Sequence, residues 1–135
     1  MKPVRAVIDT NVLVSALLNE DGKPAQVIKK VYNGEIYPVT SNDVFMEYEE
    51  VLNRPGFKFA SDEIRIILEF FRKTVFTAKK PDFKTMNIPH DDAYFAAAAK
   101  QGLSEYIITG NKKHFSGISG EKFIILTPDE FLKVI

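Results

Sequence analysis

Val4-Arg5-Ala6-Val7-Ile8-Asp9-Thr10-Asn11-Val12-Leu13-Val14-Ser15-Ala16-Leu17 decides how the rest of the chain is read. Val4 to Ile8 is a short β-branched run that stops at three polar residues, after which Val12, Leu13, Ala16 and Leu17 recur at helical spacing. This is a strand, a polar turn and a helix. Asp9 stands at the carboxyl end of the strand, where it can be a helix cap or a functional carboxylate. Thr10 and Asn11 are themselves able caps, so the turn does not need an acid as well.

The same alternation continues outward. Pro24 to Tyr32 carries Val27, Ile28, Val31 and Tyr32 on one helical face, with Gly34 just past its end. Ile36 to Thr40 reads as a strand, and Ser41 as the cap of a helix running to about Asn53 that Pro55-Gly56 stops. Ser61 or Asp62 caps the next helix, whose inward stripe is Ile64, Ile67, Leu68 and Phe71. Ile66 and Phe70 form a second, opposite stripe, which is either buried or a partner surface. Val75 to Ala78 is a weak strand, and Pro81 to Pro89 a loop. Asp91 or Asp92 opens a helix through Lys100, ended by Gly102. Tyr106 to Thr109 is a strand, Gly110 to Gly120 a polar loop, Phe123 to Leu126 a last strand, and Pro128 to Val134 a terminal helix. Strands separated by helices imply a parallel sheet with helices on both faces, and in such sheets the site lies beyond the carboxyl ends of the strands. Asp9 and the Thr109-Gly110-Asn111 turn both fall at such ends.

At 135 residues with 45% hydrophobic content, the expectation is one domain over residues 1–135. The absence of cysteine excludes disulfides, thiolate zinc sites and a cysteine nucleophile, and suits a reducing compartment. No apolar run is long enough to span a bilayer and the amino terminus lacks a signal-peptide pattern, so the expected location is cytoplasmic, with no membrane partner. Eighteen basic and eighteen acidic residues cancel, so any attraction for nucleic acid must come from local patches.

Several acids could carry chemistry. Glu47, Glu49 and Glu50 share one helix with the apolar Val44, Phe45, Tyr48, Val51 and Leu52. Glu47 and Glu49 border that face on opposite sides, so periodicity does not choose between them. Asp91 and Asp92 open a helix, where carboxylates oppose the dipole, yet the same position can aim one at the sheet's edge. The slim run Ala96-Ala97-Ala98-Ala99 after them lets that helix pack close to the sheet. His90 and His114 lack paired spacing and make a poor zinc signal, while Lys112 and Lys113 could receive phosphate or simply be solvated. Converging carboxylates without cysteine or paired histidine describe a hard oxygen site suited to Mg²⁺ or Mn²⁺, which would let the acids stay ionised together.

At this point the residues resemble the PIN-domain family, specifically its small prokaryotic branch of toxins from toxin–antitoxin pairs. Val7 through Ala16 is similar to the family's strand-end motif, in which this Asp binds metal. Ser41 through Glu47, followed by Glu50-Val51-Leu52-Asn53-Arg54-Pro55, resembles its second block and selects Glu47 as the second acid. Asp91-Asp92-Ala93-Tyr94-Phe95-Ala96-Ala97-Ala98 resembles the third, with Asp92 in the main acidic position and Asp91 assisting. Ile107-Ile108-Thr109-Gly110-Asn111-Lys112-Lys113-His114-Phe115 resembles the fourth in shape, but Asn111 and His114 stand where many members carry aspartate. The resemblance covers essentially the whole chain. It implies a three-layer α/β/α PIN-like fold with a central parallel sheet of four to five strands. It further implies a homodimeric, Mg²⁺- or Mn²⁺-dependent endoribonuclease acting on single-stranded or structured RNA and held inactive by a cognate antitoxin. Thr10, Asn11, Thr109, Asn111, Lys112, Lys113 and His114 are expected to support the acids or the RNA.

The missing fourth acid favours one tightly held cation, with a second arriving with substrate phosphate. It also keeps open a PIN-like module that binds RNA or a partner without cleaving. A haloacid-dehalogenase-type phosphotransferase needs a second Asp two residues after the first, and position 11 is Asn. A response-regulator receiver needs paired acids near the first strand and an Asp at a later strand end, and neither pattern is present.

Overall fold

The computed structural model describes residues 2–83, 88–118 and 122–135. Strand β1 (Val4–Ile8) forms the middle of a four-stranded parallel sheet with β2 (Ile36–Pro38), β5 (Tyr106–Ile108) and β6 (Ile124–Leu126), in the order β2-β1-β5-β6. Ala6 lies opposite Pro38 on one side and Tyr106 on the other, and Ile8 opposite Ile108. Ala6, Val7, Ile8, Ile107 and Ile108 are fully buried, as strands covered on both faces must be.

Helices α1 (Thr10–Leu18) and α2 (Lys23–Tyr32) join β1 to β2. Helices α3 (Asn42–Leu52), α4 (Ser61–Arg72) and α5 (His90–Gln101) precede β5, and α6 (Pro128–Val134) follows β6. α1 packs on α2 and α2 on α6; α3 packs on α4 and α5, and α5 lies against β1 and β5. The result is the expected helix, sheet, helix layering. Ala93 and Ala96 to Ala99 are buried, and their short side chains bring α5 close to the strands. From β1 the chain moves to β2 on one side, whereas β5 enters on the other, so the strand order reverses between Ile8 and Ile108. A crevice opens at such a reversal. Asp9 and Thr109 are the next residue of each strand.

The strand expected over Ile36 to Thr40 is instead divided. Val39 still donates its amide to Ala6 O (2.8 Å), but Thr40–Ser41 turns away as β3 and pairs in parallel with β4 (Val75–Phe76) in a separate two-stranded sheet. Pro38 offers no N–H for a further ladder, and Thr74 Oγ1 bonds to Thr40 Oγ1 (3.2 Å) where the new pairing begins. β4 stops at Phe76 rather than Ala78 because Ser41 leaves the pairing to cap α3, accepting from Val44 N at 3.3 Å.

Four other boundaries differ. Ala60, not Ser61 or Asp62, occupies the N-cap of α4, and Glu63 Oε1 accepts its amide at 3.4 Å, half of a capping box without the hydroxyl. α5 opens at His90 after Pro89, so Asp91 and Asp92 lie in its first turn and neither is the cap. Strands β5 and β6 are each one residue shorter than expected, although Thr109 N continues the ladder to Leu126 O at 2.9 Å. The polar loop from Gly110 contains a 3₁₀ turn, Lys112–Phe115, anchored by the fully buried Phe115. Residues 84–87 of the expected Pro81 to Pro89 loop, residues 119–120 and the side chain of His90 lie outside what is described.

The inward stripe of α4 is buried as expected, but Ile66 (48% exposed) and Phe70 (40%) face outward, which removes the doubly buried reading of that helix. Phe70 meets Tyr32 of α2, ring centroids 4.5 Å apart. Among the described residues no helix is long and apolar enough to cross a membrane.

Candidate functional site

Asp9 is at the N-cap position of α1, yet its side chain makes no capping bond there. Its Oδ2 instead accepts from Thr109 Oγ1 at 2.7 Å and from Asn11 Nδ2 at 3.3 Å. Thr109 is fully buried, and its hydroxyl also accepts the Asn111 amide at 3.0 Å. Asn11 Oδ1 takes the Gly110 amide at 3.0 Å. The two strand-end turns are thus tied together through one carboxylate and two side chains. Beneath them, the fully buried Tyr48 donates its hydroxyl to Ile8 O, fixing the peptide that leads into Asp9.

The second acid is decided by which side of α3 faces α1. Glu49 and Glu50 are exposed, whereas Glu47 is half-buried and receives the Thr10 hydroxyl on Oε2. The third comes from α5. Asp92 is buried and pairs with His114 Nδ1 at 3.0 Å, and His114 Nε2 in turn meets Asn111 Nδ2 at 2.8 Å. Asp91 is exposed at the same helix end. All four acids border one cleft of about 530 Å³, with Val14, Val51, Arg54 and Phe57 among its other walls.

Burial pushes the carboxyls of Asp9, Glu47 and Asp92 above their ordinary values. For Asp9 the Thr109 hydrogen bond opposes this and the charge of Asp92 adds to it; for Glu47 the Thr10 bond opposes and Asp9, Asp91 and Asp92 add. For Asp92, His114 opposes and Asp91 adds. Acids gathered in a cleft and lifted together by burial and mutual repulsion are a signature of a functional site. As arranged, no three acidic or histidine side chains among the described residues surround one common point closely enough to hold an ion. Each acid has its own partner instead: Thr109, Thr10 and His114. The donor set is nonetheless hard oxygen throughout, and its charge is what a divalent cation would relieve, so the residues fit such an ion.

A family model for the PIN domain matches residues 5–113, most of the chain and three of the four acidic blocks in full. The chain belongs to the PIN-domain family. PIN domains generally use divalent metals, and theirs is a nuclease family. The chain is also similar to the uncharacterised protein MJ1680 of Methanocaldococcus jannaschii, with 26% identity over 149 aligned positions, 96% of this chain and 90% of that one. Among solved structures it is similar to VapBC2 from Rickettsia felis bound to a DNA fragment from their promoter. That match has a TM-score of 0.58 at 17% identity and covers 92% of this chain and 98% of that one, which is a likeness of fold.

Within this PIN domain, Asp9, Thr10, Asn11, Glu47, Asp91, Asp92, Thr109, Asn111 and His114 come together around the strand reversal. Lys112 and Lys113 do not line the cleft. Lys112 turns to Glu130 of α6 (3.1 Å), and Lys113 is exposed on the 3₁₀ turn. Among the described residues the lysine or arginine that borders the acids is Arg54, which spacing alone did not single out. Tyr48 was legible only as a core residue, although a buried tyrosine must find a partner for its hydroxyl.

Proposed function

We propose that the protein is a divalent-metal-dependent endoribonuclease that hydrolyses RNA phosphodiester bonds, with Asp9, Glu47 and Asp92 as the acids that hold Mg²⁺ or Mn²⁺ and Asp91 assisting. The observation that carries this reading is the convergence of three burial-lifted carboxyls from β1, α3 and α5 on one open cleft. The cation, when bound, would activate water, polarise a phosphoryl oxygen and offset charge on the leaving oxygen. The chain's own residues aim the acids. Thr109 and Asn11 fix the Asp9 carboxylate, Thr10 holds Glu47, and His114, itself held by Asn111, steadies Asp92.

A second reading is a PIN domain that binds RNA or a partner without cleaving it. It is favoured by Asn111 and His114 in the fourth block and by the lack of a preassembled ion cage among the described residues. Purified protein incubated with a mixed RNA pool in Mg²⁺ or Mn²⁺, beside EDTA and Asp9→Asn controls, separates the two. Metal-dependent cleavage abolished by both controls supports the nuclease. RNA retained but uncut supports the second reading, and cleavage that persists in both controls refutes the assigned acids.

The likeness to VapBC2 supports a role as a toxin neutralised by a cognate antitoxin, which we place in the cytoplasm because the chain has no cysteine. The outward-facing Tyr32, Ile66 and Phe70 support a homodimer, and Phe70→Asp is expected to give a monomer by light scattering.

A further inference from the structure

Away from the acids, near the amino ends of β1 and β5 where α4 and α5 finish, lies another cavity of about 350 Å³. Arg5, Tyr37, Val39, Lys73, Phe76 and Leu103 are among the residues that line it. Arg5 precedes Asp9 by four residues of extended chain, roughly 13 Å, and no part of the proposed hydrolysis uses it.

The charges of this cavity are unusual in the molecule. Arg54, Arg65 and Arg72 each pair with a carboxylate three or four residues away. Arg5 does not. Its Nε and Nη2 both donate to Gly102 O, at 3.2 and 2.6 Å, and its guanidinium carbon stands 5.1 Å from the centre of the Tyr37 ring. Closing the end of α5 accounts for one edge of the guanidinium. The remaining N–H groups of its five meet no acceptor among the described residues, although the side chain is held in place. Lys73, at the C-cap of α4, also has no acidic partner among the described residues, and none of the cavity's lining residues is an acid. Two positive charges thus border one cavity without neutralisation, the reverse of the cleft at the other end of the sheet.

A phosphate monoester carries close to two negative charges near neutral pH, with three acceptor oxygens, and a guanidinium edge can take two of those at once. One carboxylate would offset only half the charge. The volume is more than a phosphate fills and lies in the range of small-ligand sites, so room remains for an organic part. Tyr37, Val39 and Phe76 offer it apolar wall. Leu103 adds to that wall: its φ of 53° is a conformation usually left to glycine at a helix end, and its side chain is 78% exposed.

We infer that this cavity is a binding site for a small phosphate monoester, with its phosphoryl group between Arg5 and Lys73 and its organic part against Tyr37, Val39 and Phe76. The site is separate from the acids and does not depend on the nuclease reading.

The test is isothermal titration calorimetry of the full chain with phenyl phosphate, inorganic phosphate and succinate, in EDTA so that no metal at the acids holds the anion. Wild type is compared with Lys73→Glu and Arg5→Gln, and with Lys29→Glu, which makes the same charge change as Lys73→Glu on an exposed residue outside the cavity. Because Arg5 also closes α5, Lys73→Glu carries the decision, with its melting temperature checked against wild type. Phenyl phosphate is expected to bind more tightly than inorganic phosphate, and succinate most weakly. Phenyl phosphate affinity should fall roughly ten- to hundredfold in Lys73→Glu, the range of one lost charged contact, and stay within about twofold in Lys29→Glu. Wild type that binds neither phosphate overturns the site. So does an equal loss in Lys73→Glu and Lys29→Glu, or succinate binding as tightly as phenyl phosphate.

Discussion

Replacing Tyr48 by phenylalanine removes one oxygen from beneath the site and nothing else. The ring is fully buried and contacts Phe71 edge-on at 5.3 Å and Phe95 at 6.2 Å between centroids, contacts that phenylalanine keeps. What is lost is the hydrogen bond to Ile8 O, on the peptide immediately before Asp9. A buried hydrogen bond of this kind contributes about 1 kcal/mol net, rising toward about 3 kcal/mol if the carbonyl is left poorly satisfied. For a domain of this size each kcal/mol moves the melting temperature by roughly 3–5 °C, so a fall of roughly 3–15 °C is expected. Burial, reinforced by the charges of Asp9 and Glu47, holds the phenol well above its ordinary pKa, so the loss should be the same from pH 6 to pH 9. Thermal unfolding by circular dichroism at those pH values measures it, with urea melts to confirm an unchanged m-value. A variant that melts within about 1 °C of wild type would refute the claim that this hydroxyl secures the end of β1.

Asp9→Asn should make the metal-free protein more stable near pH 7, by about 0.5–2 kcal/mol as is usual when a strained functional position is relieved. The sign follows from the raised carboxyl: its stabilising neutral form is present below the ordinary value of 3.8 and is lost as pH rises through the higher folded value. The advantage of the amide should therefore vanish below that value, and an Asn variant less stable than wild type at pH 7 would contradict it. Added Mn²⁺ should raise the melting temperature of wild type, by about 2.7 kcal/mol of stability at a hundred times its Kd, and do little for Asp9→Asn, read by differential scanning fluorimetry. Gly102→Ala should cost about 1–3 kcal/mol, because a Cβ there would overlap Val39 Cγ1 and lie 2.9 Å from Ala98 O while Arg5 grips the Gly102 carbonyl at 2.6 Å. An unchanged urea midpoint would show that the contact relaxes freely.

Asp9 could be found in the sequence because a local pattern, an apolar run broken by polar residues, marks the end of a strand wherever it lies in space. Glu47 could not be separated from Glu49 by the same means. The distinction is made by Thr10, 37 residues earlier, reaching across from α1. The division of the Ile36 to Thr40 strand has the same origin, since Thr40–Ser41 pairs with Val75–Phe76, inside the weak strand expected at Val75 to Ala78, and neither segment announces that pairing. Asn111 and His114 were visible as departures from the acidic pattern. That His114 would be bonded to Asp92 was not, because the bond joins α5 to a 3₁₀ turn the polar loop did not advertise. Lys112 misled because adjacency in sequence to a strand end says nothing of direction, and its ammonium turns to Glu130.

The private partners of the three acids bear on how the site and the fold depend on each other. Carboxylates brought together without a cation would repel, and a site whose only counter-charge was an ion would leave the chain poorly folded until the ion arrived, as in small zinc-dependent domains. Here Thr109, Thr10 and His114 each hold one acid; Thr109 and Thr10 are placed by the buried sheet and α1, and His114 by the 3₁₀ turn that the buried Phe115 anchors. The strand reversal between β1 and β5 delivers Asp9 and Thr109 side by side as a consequence of strand pairing alone. The fold can therefore form first and the cation bind later, adding stability by mass action instead of creating the structure. Loss of an acid should accordingly impair ion binding while leaving the parallel sheet and its core standing.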